Sequence, residues 1–187
     1  MKVIRMSSIM KDGGLRKSVV KDIIDGKVFL YPTDTIYGLG CDATNKEAVK
    51  RIRGIKTGNQ PFSVIAPSRD WILKNMEARS PESLRKLPGA YTLVMRMRRP
   101  VVCREVSEGT LGVRIPDHPF TGLVEEAGVP FVTTSANISG EAPLWSLRGV
   151  PSDIERRVDI GVDGGILKGP GSRVIDLTGN KAKVLRK

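Results

Sequence analysis

Apolar residues form two kinds of pattern along this chain: some recur every four residues, and others form short continuous runs. In LRKSVVKDIIDGK, Leu15, Val19 and Ile23 are spaced four residues apart, which predicts one face of a helix that ends at Gly26. The next segment, KVFLYP, is a short apolar run that predicts a strand ending at Pro32. The same two patterns repeat through the rest of the sequence.

The remaining patterns predict further helices and strands in alternation. Asn45 is a typical N-cap and precedes a run with Ala48, Val49 and Ile52 on one face. The other predicted helices are SPESLRKL and PFTGLVEEAG, and the predicted strands are FSVIAP, YTLVMRMR, TLGVRIP, VPFVTTS, RVDIGVDGG, SRVIDLTG and AKVLRK. This alternation predicts an α/β fold with a twisted mixed sheet flanked by helices. Because no linker or repeat interrupts it, residues 1–187 are expected to form one domain.

Composition adds a strong positive charge to this picture. Lys and Arg total 31 against 20 Asp and Glu, which gives a net charge of +11 over 187 residues. A domain this basic attracts polyanions such as nucleotides or nucleic acid, although a generally basic protein without such a partner has the same composition. No apolar stretch approaches the length of a membrane span and no signal peptide is apparent. A cytoplasmic protein with no membrane partner is therefore expected.

Polar and glycine residues collect where the predicted strands end, which is where open α/β sheets bind ligands. Four segments have this character: PTDTIYGLG, GTLGVRIP, TTSANISG and GPGSRVIDL. Their hydroxyl groups and close backbone approaches suit a ligand rich in phosphate or carboxylate oxygens. Any one of them alone is more typical of a capped turn, but four together favour a binding site.

Two familiar kinds of active site are not supported. The sequence has no GxxxxGK[ST] and no GxGxxG between a strand and a helix. A bound nucleotide would therefore need separate cations, for which Lys56, Arg114 and Arg186 are candidates. His118 is the only histidine and no GxSxG is present, so a Ser-His-Asp triad is disfavoured. A structural role for His118 in the turn PDHPF is the better interpretation.

Neither a zinc site nor a disulfide framework is indicated. Cys41 and Cys103 are far apart in the sequence and no histidine lies near them in the chain, so reduced thiols are expected. The carboxylates are scattered, and no metal site built from protein ligands is expected. A magnesium ion carried by nucleotide phosphates is the simpler expectation.

Nucleic-acid binding is the alternative from a different functional class. MRMRRP at 95–100 and KRIRGIK at 50–56 are basic clusters, but aromatic residues make up only 5% of the chain and do not interleave with the cations. Base stacking on a single strand is therefore disfavoured. Contact with the phosphate backbone of tRNA or double-stranded RNA stays open.

Four segments closely resemble, in their order along the chain, the YrdC family of threonylcarbamoyl-adenylate synthases. They are YPTDTIYGLGCDA, LGVRIPDHP, TTSANISG and GSRVIDLTG…VLRK. The segment PGAYTLVMR is also similar to that family, and the resemblance runs from about Leu15 to Lys187. It implies a twisted α/β sheet with a basic concave face. It also implies synthesis of threonylcarbamoyl-AMP and pyrophosphate from L-threonine, bicarbonate and ATP. The implied partner is a second enzyme, which transfers the threonylcarbamoyl group to the tRNA adenosine next to the anticodon.

The resemblance implies a role for each matching residue. L-threonine would be bound by Thr35, Arg114, Thr133 and Ser172, with Arg114 holding the carboxylate. The residues implied to bind ATP are Lys56, Gln60, Thr110, Ser135, Asn137 and Arg186, with Lys56 and Arg114 as the catalytic pair. No enzyme nucleophile is required, because the carbamate formed from threonine and bicarbonate itself attacks the α-phosphorus. Alignment and charge neutralisation by hydroxyls and cations suffice.

One segment departs from the family's pattern. KTGNQPF, residues 56–62, is two residues shorter than the family's segment K-x-R-P-x-x-N-P-L, with Gly58 where an arginine is expected, and Ile65 stands where a histidine is expected. The missing cation leaves open a second interpretation, a YciO-like paralogue that binds RNA or the ribosome and has weak or no synthase activity. Arg53 is a neighbouring cation that could compensate for Gly58.

Overall fold

The computed structural model describes residues 1–56, 58–78, 81–138 and 140–187. The helices are α1 (Met6–Lys11), α2 (Gly13–Ile24), α3 (Lys46–Arg53), α4 (Arg69–Asn75), α5 (Pro81–Leu84), α6 (Phe120–Ala127) and α7 (Ser152–Glu155). The strands are β1 (Lys2–Arg5), β2 (Phe29–Tyr31), β3 (Gly38–Gly40), β4 (Ser63–Ile65), β5 (Tyr91–Arg96), β6 (Thr110–Arg114), β7 (Phe131–Ser135), β8 (Ile160–Asp163), β9 (Arg173–Asp176) and β10 (Lys183–Arg186). None of the described helices is both long enough and apolar enough to cross a membrane.

The described strands form one mixed sheet in the order β1-β8-β2-β3-β7-β4-β6-β5-β9-β10. Parallel pairing joins β1 and β2 to β8, β4 to β6, and β5 to β9, while the other neighbours are antiparallel. The predicted mixed sheet is therefore confirmed. Most neighbouring strands are not consecutive in the chain, so the sheet brings distant segments side by side. The extent of a single domain over 1–187 stays a prediction.

Apolar side chains alternate between the two faces of the sheet, and each face has its own core. Leu30 of β2 belongs to the larger core, whereas its neighbours Phe29 and Tyr31 point to the opposite face. There they pack against Phe120 of α6 and Phe131 of β7, with ring centroids 4.4 to 6.0 Å apart. This aromatic cluster covers only part of its face, because the strands beside it change from apolar to polar residues.

Side chains that precede α2, α3 and α6 cap the starts of these helices. Asn45 accepts a 3.1 Å hydrogen bond from the N–H of Ala48, which confirms the predicted N-cap of α3. Asp12 caps α2 in the same way. Nδ1 of His118 accepts a 3.1 Å hydrogen bond from the N–H of Phe120 at the start of α6. This contact gives the histidine the structural role expected from its place in PDHPF.

The sequence pattern misses the short elements β1, α1, β3, α4 and α7. In β1 only Ile4 is buried, so its pattern is too weak to identify a strand. Glycines open and close β3, and they are unfavourable in a strand, so β3 depends on its pairing with β2 and β7. The predicted helix SPESLRKL is reduced to α5, and its predicted start at Ser80 lies outside the described residues.

Candidate active site

A polar cavity of about 190 Å³ lies on the part of the sheet that the aromatic cluster leaves uncovered. Its wall is rich in hydroxyl groups and includes arginines from β6 and β10. The side chains that give the wall this polarity are Thr33, Ser63, Thr92, Arg114, Thr133, Thr134, Ser135, Ser172 and Arg186. These residues come from five strands and two loops, so the cavity depends on the sheet order.

Side chains alternate between the two faces along a strand, which explains why most of these strand residues share one face, with Thr134 as the exception. Thr133 and Ser135 are two residues apart on β7, as are Gly112 and Arg114 on β6, so each pair points to the same side of the sheet. Gly112 lies where the neighbouring strands come close. A Cβ atom at Gly112 would overlap Oγ of Ser63 and crowd the Thr92 methyl group, so glycine lets the strands approach closely at this point.

Arg114 is deeply buried in this cavity, with 6% of its surface exposed. Its Nη2 donates a 2.6 Å hydrogen bond to Oδ1 of Asp34, and Oδ2 of Asp34 accepts a 3.1 Å bond from the N–H of Asp117. Burial lowers the pKa of Arg114, and the charge of Asp34 opposes that shift. Nε of Arg114 is buried and has no hydrogen-bond partner within the described part of the chain. A buried guanidinium with an unused donor is suited to an anionic ligand.

Ser172 links two sides of the cavity. Its hydroxyl lies 2.8 Å from Oγ1 of Thr92, and its carbonyl and hydroxyl accept three hydrogen bonds of 2.7 to 3.0 Å from the guanidinium of Arg186. The loop before β9 is held against the PTDT segment as well. A side chain at Gly169 of this loop would begin 2.8 Å from Cα of Thr35.

A second cluster of predicted site residues surrounds Lys56, which follows α3. The ammonium donates hydrogen bonds to the carbonyl and Oδ1 of Asn137, at 2.9 and 2.5 Å, and to the hydroxyl of Ser135 at 3.3 Å. The Ser135 hydroxyl also donates to Oδ1 of Asn137 at 2.6 Å. These partners are uncharged, and burial lowers the pKa of Lys56 to about 8 from an ordinary value of 10.5.

Lys56 and Asn137 also line a second cavity of about 250 Å³, together with Arg53 and Gln60. This cavity adjoins the first, and the two share the lining residues Pro61, Phe62 and Thr134. A cation-lined cavity therefore lies directly beside the hydroxyl-lined cavity of Arg114. Together the two cavities could bind one ligand that has a carboxylate at one end and phosphates at the other.

Most residues assigned by the family resemblance are brought together. The first cavity is lined by Arg114, Thr133, Ser135, Ser172 and Arg186, and the second by Lys56, Gln60 and Asn137. Thr35 lines neither cavity, because its hydroxyl lies 3.0 Å from Oγ1 of Thr33, and Thr33 faces the first cavity instead. Thr110 opens β6 and shares the face of Arg114, but it too lies outside both cavities.

The segment that departs from the family's pattern lies at the second cavity. Gly58 and Gln60 line this cavity, and Thr57 between Lys56 and Gly58 lies outside the described residues. Ile65, which stands where the family has a histidine, is buried in the aromatic core and lines neither cavity.

The sequence does not reveal that Ser63 and Thr92 line the cavity or that Asp34 holds Arg114. Ser63 and Thr92 are hydroxyl residues within apolar strands, but nothing shows that they face Arg114 until the strand register is known. A buried arginine requires a nearby carboxylate, and this requirement is the signal that points to Asp34. It lies in the PTDT segment, which the motif had already placed at the site.

Comparison with known proteins decides the family. The family model Sua5_yciO_yrdC, described as telomere recombination, matches residues 21–187. The chain belongs to the Sua5/YciO/YrdC family. This confirms the resemblance seen in the four polar segments.

Relatives within the Sua5/YciO/YrdC family agree in sequence and in fold. The threonylcarbamoyl-AMP synthase of Bacillus subtilis is 34% identical over an alignment of 152 residues, and the match covers 75% of this chain and 43% of that protein. P. abyssi Sua5 complexed with L-threonine superposes with a TM-score of 0.82 at 30% identity, over 99% of this chain and 56% of that chain. E. coli YciO superposes with a TM-score of 0.81 at 27% identity, over 94% of this chain and 90% of that chain. This chain therefore spans about half the length of the first two relatives.

Proposed function

We propose that this chain joins L-threonine, bicarbonate and ATP to form threonylcarbamoyl-AMP and pyrophosphate. The observation that carries the proposal is Arg114, buried in a hydroxyl-lined cavity with its Nε unpaired. A cation for the carboxylate and hydroxyls for the remaining polar groups are what an amino-acid site requires. The names of the relatives support this choice, because one is a threonylcarbamoyl-AMP synthase and another is Sua5 complexed with L-threonine.

The threonine end of the proposed site is centred on Arg114. Asp34 accepts one hydrogen bond from Nη2 of the guanidinium, and Nε is left without a partner for the carboxylate of the substrate. The hydroxyls of Thr33, Thr133 and Ser172 line the same cavity and would hydrogen-bond the amine and the hydroxyl of threonine. Thr35 would then act through its contact with Thr33.

The ATP end of the proposed site is the Lys56 cluster. Lys56 would neutralise phosphate charge, and the side-chain amides of Asn137 and Gln60 would donate hydrogen bonds to phosphate oxygens. The Ser135 hydroxyl lines the first cavity and would donate to the phosphates in place of Asn137. Arg186 lies at the first cavity, where the two substrates would meet. Thr110 would contact a part of the nucleotide that extends beyond both cavities along β6.

The chemistry follows from this arrangement of substrates. The threonine amine attacks the carbon of bicarbonate, and water leaves to give a carbamate. A carbamate oxygen then attacks the α-phosphorus of ATP, and the bond to the β-phosphate oxygen breaks with release of pyrophosphate. Arg114 and Lys56 hold the two reactants in line and offset their negative charges, so the protein contributes alignment and electrostatic stabilisation.

A magnesium ion would enter this site with the nucleotide. Within the described residues, no group of three or more His, Cys, Asp or Glu side chains is placed to hold a metal. The hydroxyl of Ser135 and the amide oxygen of Asn137 are oxygen ligands of the kind that magnesium prefers, and they would become available to the ion when Lys56 turns from them to the phosphates. When bound, the ion would supply further neutralisation of phosphate charge.

The product would be passed to a second enzyme. A carbamate joined to AMP is an activated acyl group, and the proposed acceptor is the tRNA adenosine next to the anticodon. Such a transfer would place this chain in the cytoplasm with tRNA. Direct contact between its basic surface and tRNA or double-stranded RNA would depend steeply on salt, because counterions are released from the phosphate backbone.

The second candidate, a YciO-like protein that only binds RNA, is not favoured. Contact with a phosphate backbone needs exposed cations, whereas Arg114 and Ser172 are buried in a cavity. The likeness to E. coli YciO shows a shared fold, and a shared fold does not decide a function.

Pyrophosphate release from ATP tests the proposed function. We expect release to require both L-threonine and bicarbonate, and threonylcarbamoyl-AMP to accumulate in equal amount. Omitting each substrate in turn is the control. Release that is independent of threonine would show simple hydrolysis of ATP. A folded protein with no release at all would refute the synthase proposal and show that the short 56–62 segment does not support the reaction.

A further inference from the structure

Arg53 of α3 lines the second cavity and is held by backbone carbonyls. Its Nη1 donates hydrogen bonds to the carbonyls of Gln60 at 2.6 Å and Gly58 at 3.4 Å. Its Nε donates to the carbonyl of Glu105 at 2.9 Å, and its guanidinium carbon lies 3.6 Å from the ring centre of Phe62. Arg53 therefore fixes the path of the segment that forms the cavity wall.

The charge of Arg53 is not compensated by a carboxylate. The other cations of α3 pair with acidic side chains, Lys46 with Glu105, Lys50 with Glu47 and Arg51 with Asp159. In the described part of the chain, neither Arg53 nor Lys56 forms a salt bridge. Burial lowers the pKa of both groups, so both are short of favourable electrostatic partners.

Two uncompensated cations on one cavity raise the energy of the empty site and favour a multivalent anion. The carbonyls of Gly58 and Gln60 would otherwise repel such an anion, but they are occupied by Arg53. We propose that Arg53 is a phosphate-positioning residue, which shapes the 58–60 loop and adds the second positive charge at the triphosphate. It thereby replaces, from α3, the cation that Gly58 does not provide. This inference rests on the proposed function only in naming ATP as the source of the phosphates.

Calorimetric titration of the whole chain with inorganic tripolyphosphate and with ATP tests the role of Arg53. We expect Arg53→Gln to weaken both ligands about tenfold, and Arg53→Lys about threefold, because lysine keeps the charge but cannot hold several carbonyls. Arg51→Gln is the matched control. It removes the same charge from the same helix and is expected to stay within about twofold of the wild type, because Arg51 pairs with Asp159. Binding of L-threonine should change less than about twofold in every variant, since Arg114 is untouched.

The proposal is overturned if wild-type protein does not bind tripolyphosphate, or if Arg53→Gln binds it as tightly as the wild type. Equal losses of ATP and L-threonine binding would also overturn it, because they would show general loosening of the fold. If Arg53→Gln does not fold, the comparison between Arg53→Lys and wild type decides. These titrations need no turnover. A chain that binds ATP through Arg53 but releases no pyrophosphate would refute the synthase and leave the role of Arg53 intact.

Discussion

Replacing Arg114 with lysine is expected to raise the KM for L-threonine about 100-fold, while the KM for ATP stays within about threefold. Lysine keeps a positive charge beside Asp34 but lacks Nε and the planar fork that would bind the substrate carboxylate at two points. Charge-assisted hydrogen bonds contribute about 1.5–3 kcal/mol each, and 100-fold corresponds to about 2.7 kcal/mol. The measurement is pyrophosphate release at saturating ATP and bicarbonate, with L-threonine varied.

A test on Arg114→Ala alone would be ambiguous. Asp34 has only 11% of its side chain exposed, and without the guanidinium it would be a buried carboxylate with no positive charge beside it. Removing one member of a buried pair costs about 3–5 kcal/mol, so lost activity could come from lost structure. The double variant Arg114→Gln with Asp34→Asn removes both charges together. It is expected to keep its thermal unfolding midpoint near that of the wild type and to lose threonine-dependent release.

The single variant Asp34→Asn tests how far the orientation of Arg114 by Asp34 contributes to threonine binding. Arg114 keeps its charge but loses the carboxylate that orients it, so an increase of about tenfold in the KM for threonine is expected, with kcat little changed. An Arg114→Lys protein with the wild-type KM for threonine would mean that the carboxylate is bound elsewhere in the cavity.

The strands of the cavity can be predicted from the sequence, but their order cannot. Segments such as TLGVR and FVTTS are continuous enough in apolar and β-branched residues to predict β6 and β7 locally. Ser63 lies beside Gly112 and Thr133 only because β4 pairs with both β6 and β7. Those pairings join residues far apart in the chain, and no local propensity encodes them.

The motif locates segments of the cavity wall but does not show which of their atoms line it. PTDT marks the cavity edge, but the chain turns between β2 and β3, so alternation does not reveal which threonine faces the ligand. In the structure Thr33 lines the first cavity, and the Thr35 hydroxyl lies 3.0 Å from Oγ1 of Thr33. The contact of Thr35 with the substrate stays a prediction. Asp34 was missed for a related reason. A carboxylate at a strand end has many possible partners, and its pairing with Arg114 appears only when β6 and the loop after β2 are placed together.

Above pH 8, kcat/KM for ATP is expected to fall about tenfold per pH unit in the wild-type protein. Burial lowers the pKa of Lys56 to about 8, so in the free protein the cation beside the phosphates is progressively lost above that pH. Bound phosphate favours the charged ammonium, so kcat at saturating ATP should persist to higher pH. The measurement is the rate of pyrophosphate release from pH 6.5 to 9.5, at limiting and at saturating ATP.

Lys56→Arg is the matched control for this profile, because a guanidinium stays charged throughout the range. Dividing the wild-type profile by that of Lys56→Arg cancels the titration of ATP, bicarbonate and the other side chains. We expect the ratio to be flat below pH 7.5 and to fall above pH 8. A ratio that stays flat to pH 9.5 would show that Lys56 does not titrate in this range or does not contact ATP.

The lowered pKa of Lys56 also predicts that the protein takes up a proton when ATP binds, and this uptake can be measured without turnover. At pH 9 most of the free protein carries a neutral Lys56, and ATP should draw a proton onto it as the phosphates bind. Calorimetric titration in buffers of different ionisation enthalpy should therefore show uptake approaching about one proton in the wild type and none in Lys56→Arg. Uptake at pH 9 that falls away by pH 6.5 would tie the lowered pKa to the phosphate site. Equal uptake in both proteins would assign the proton to another group.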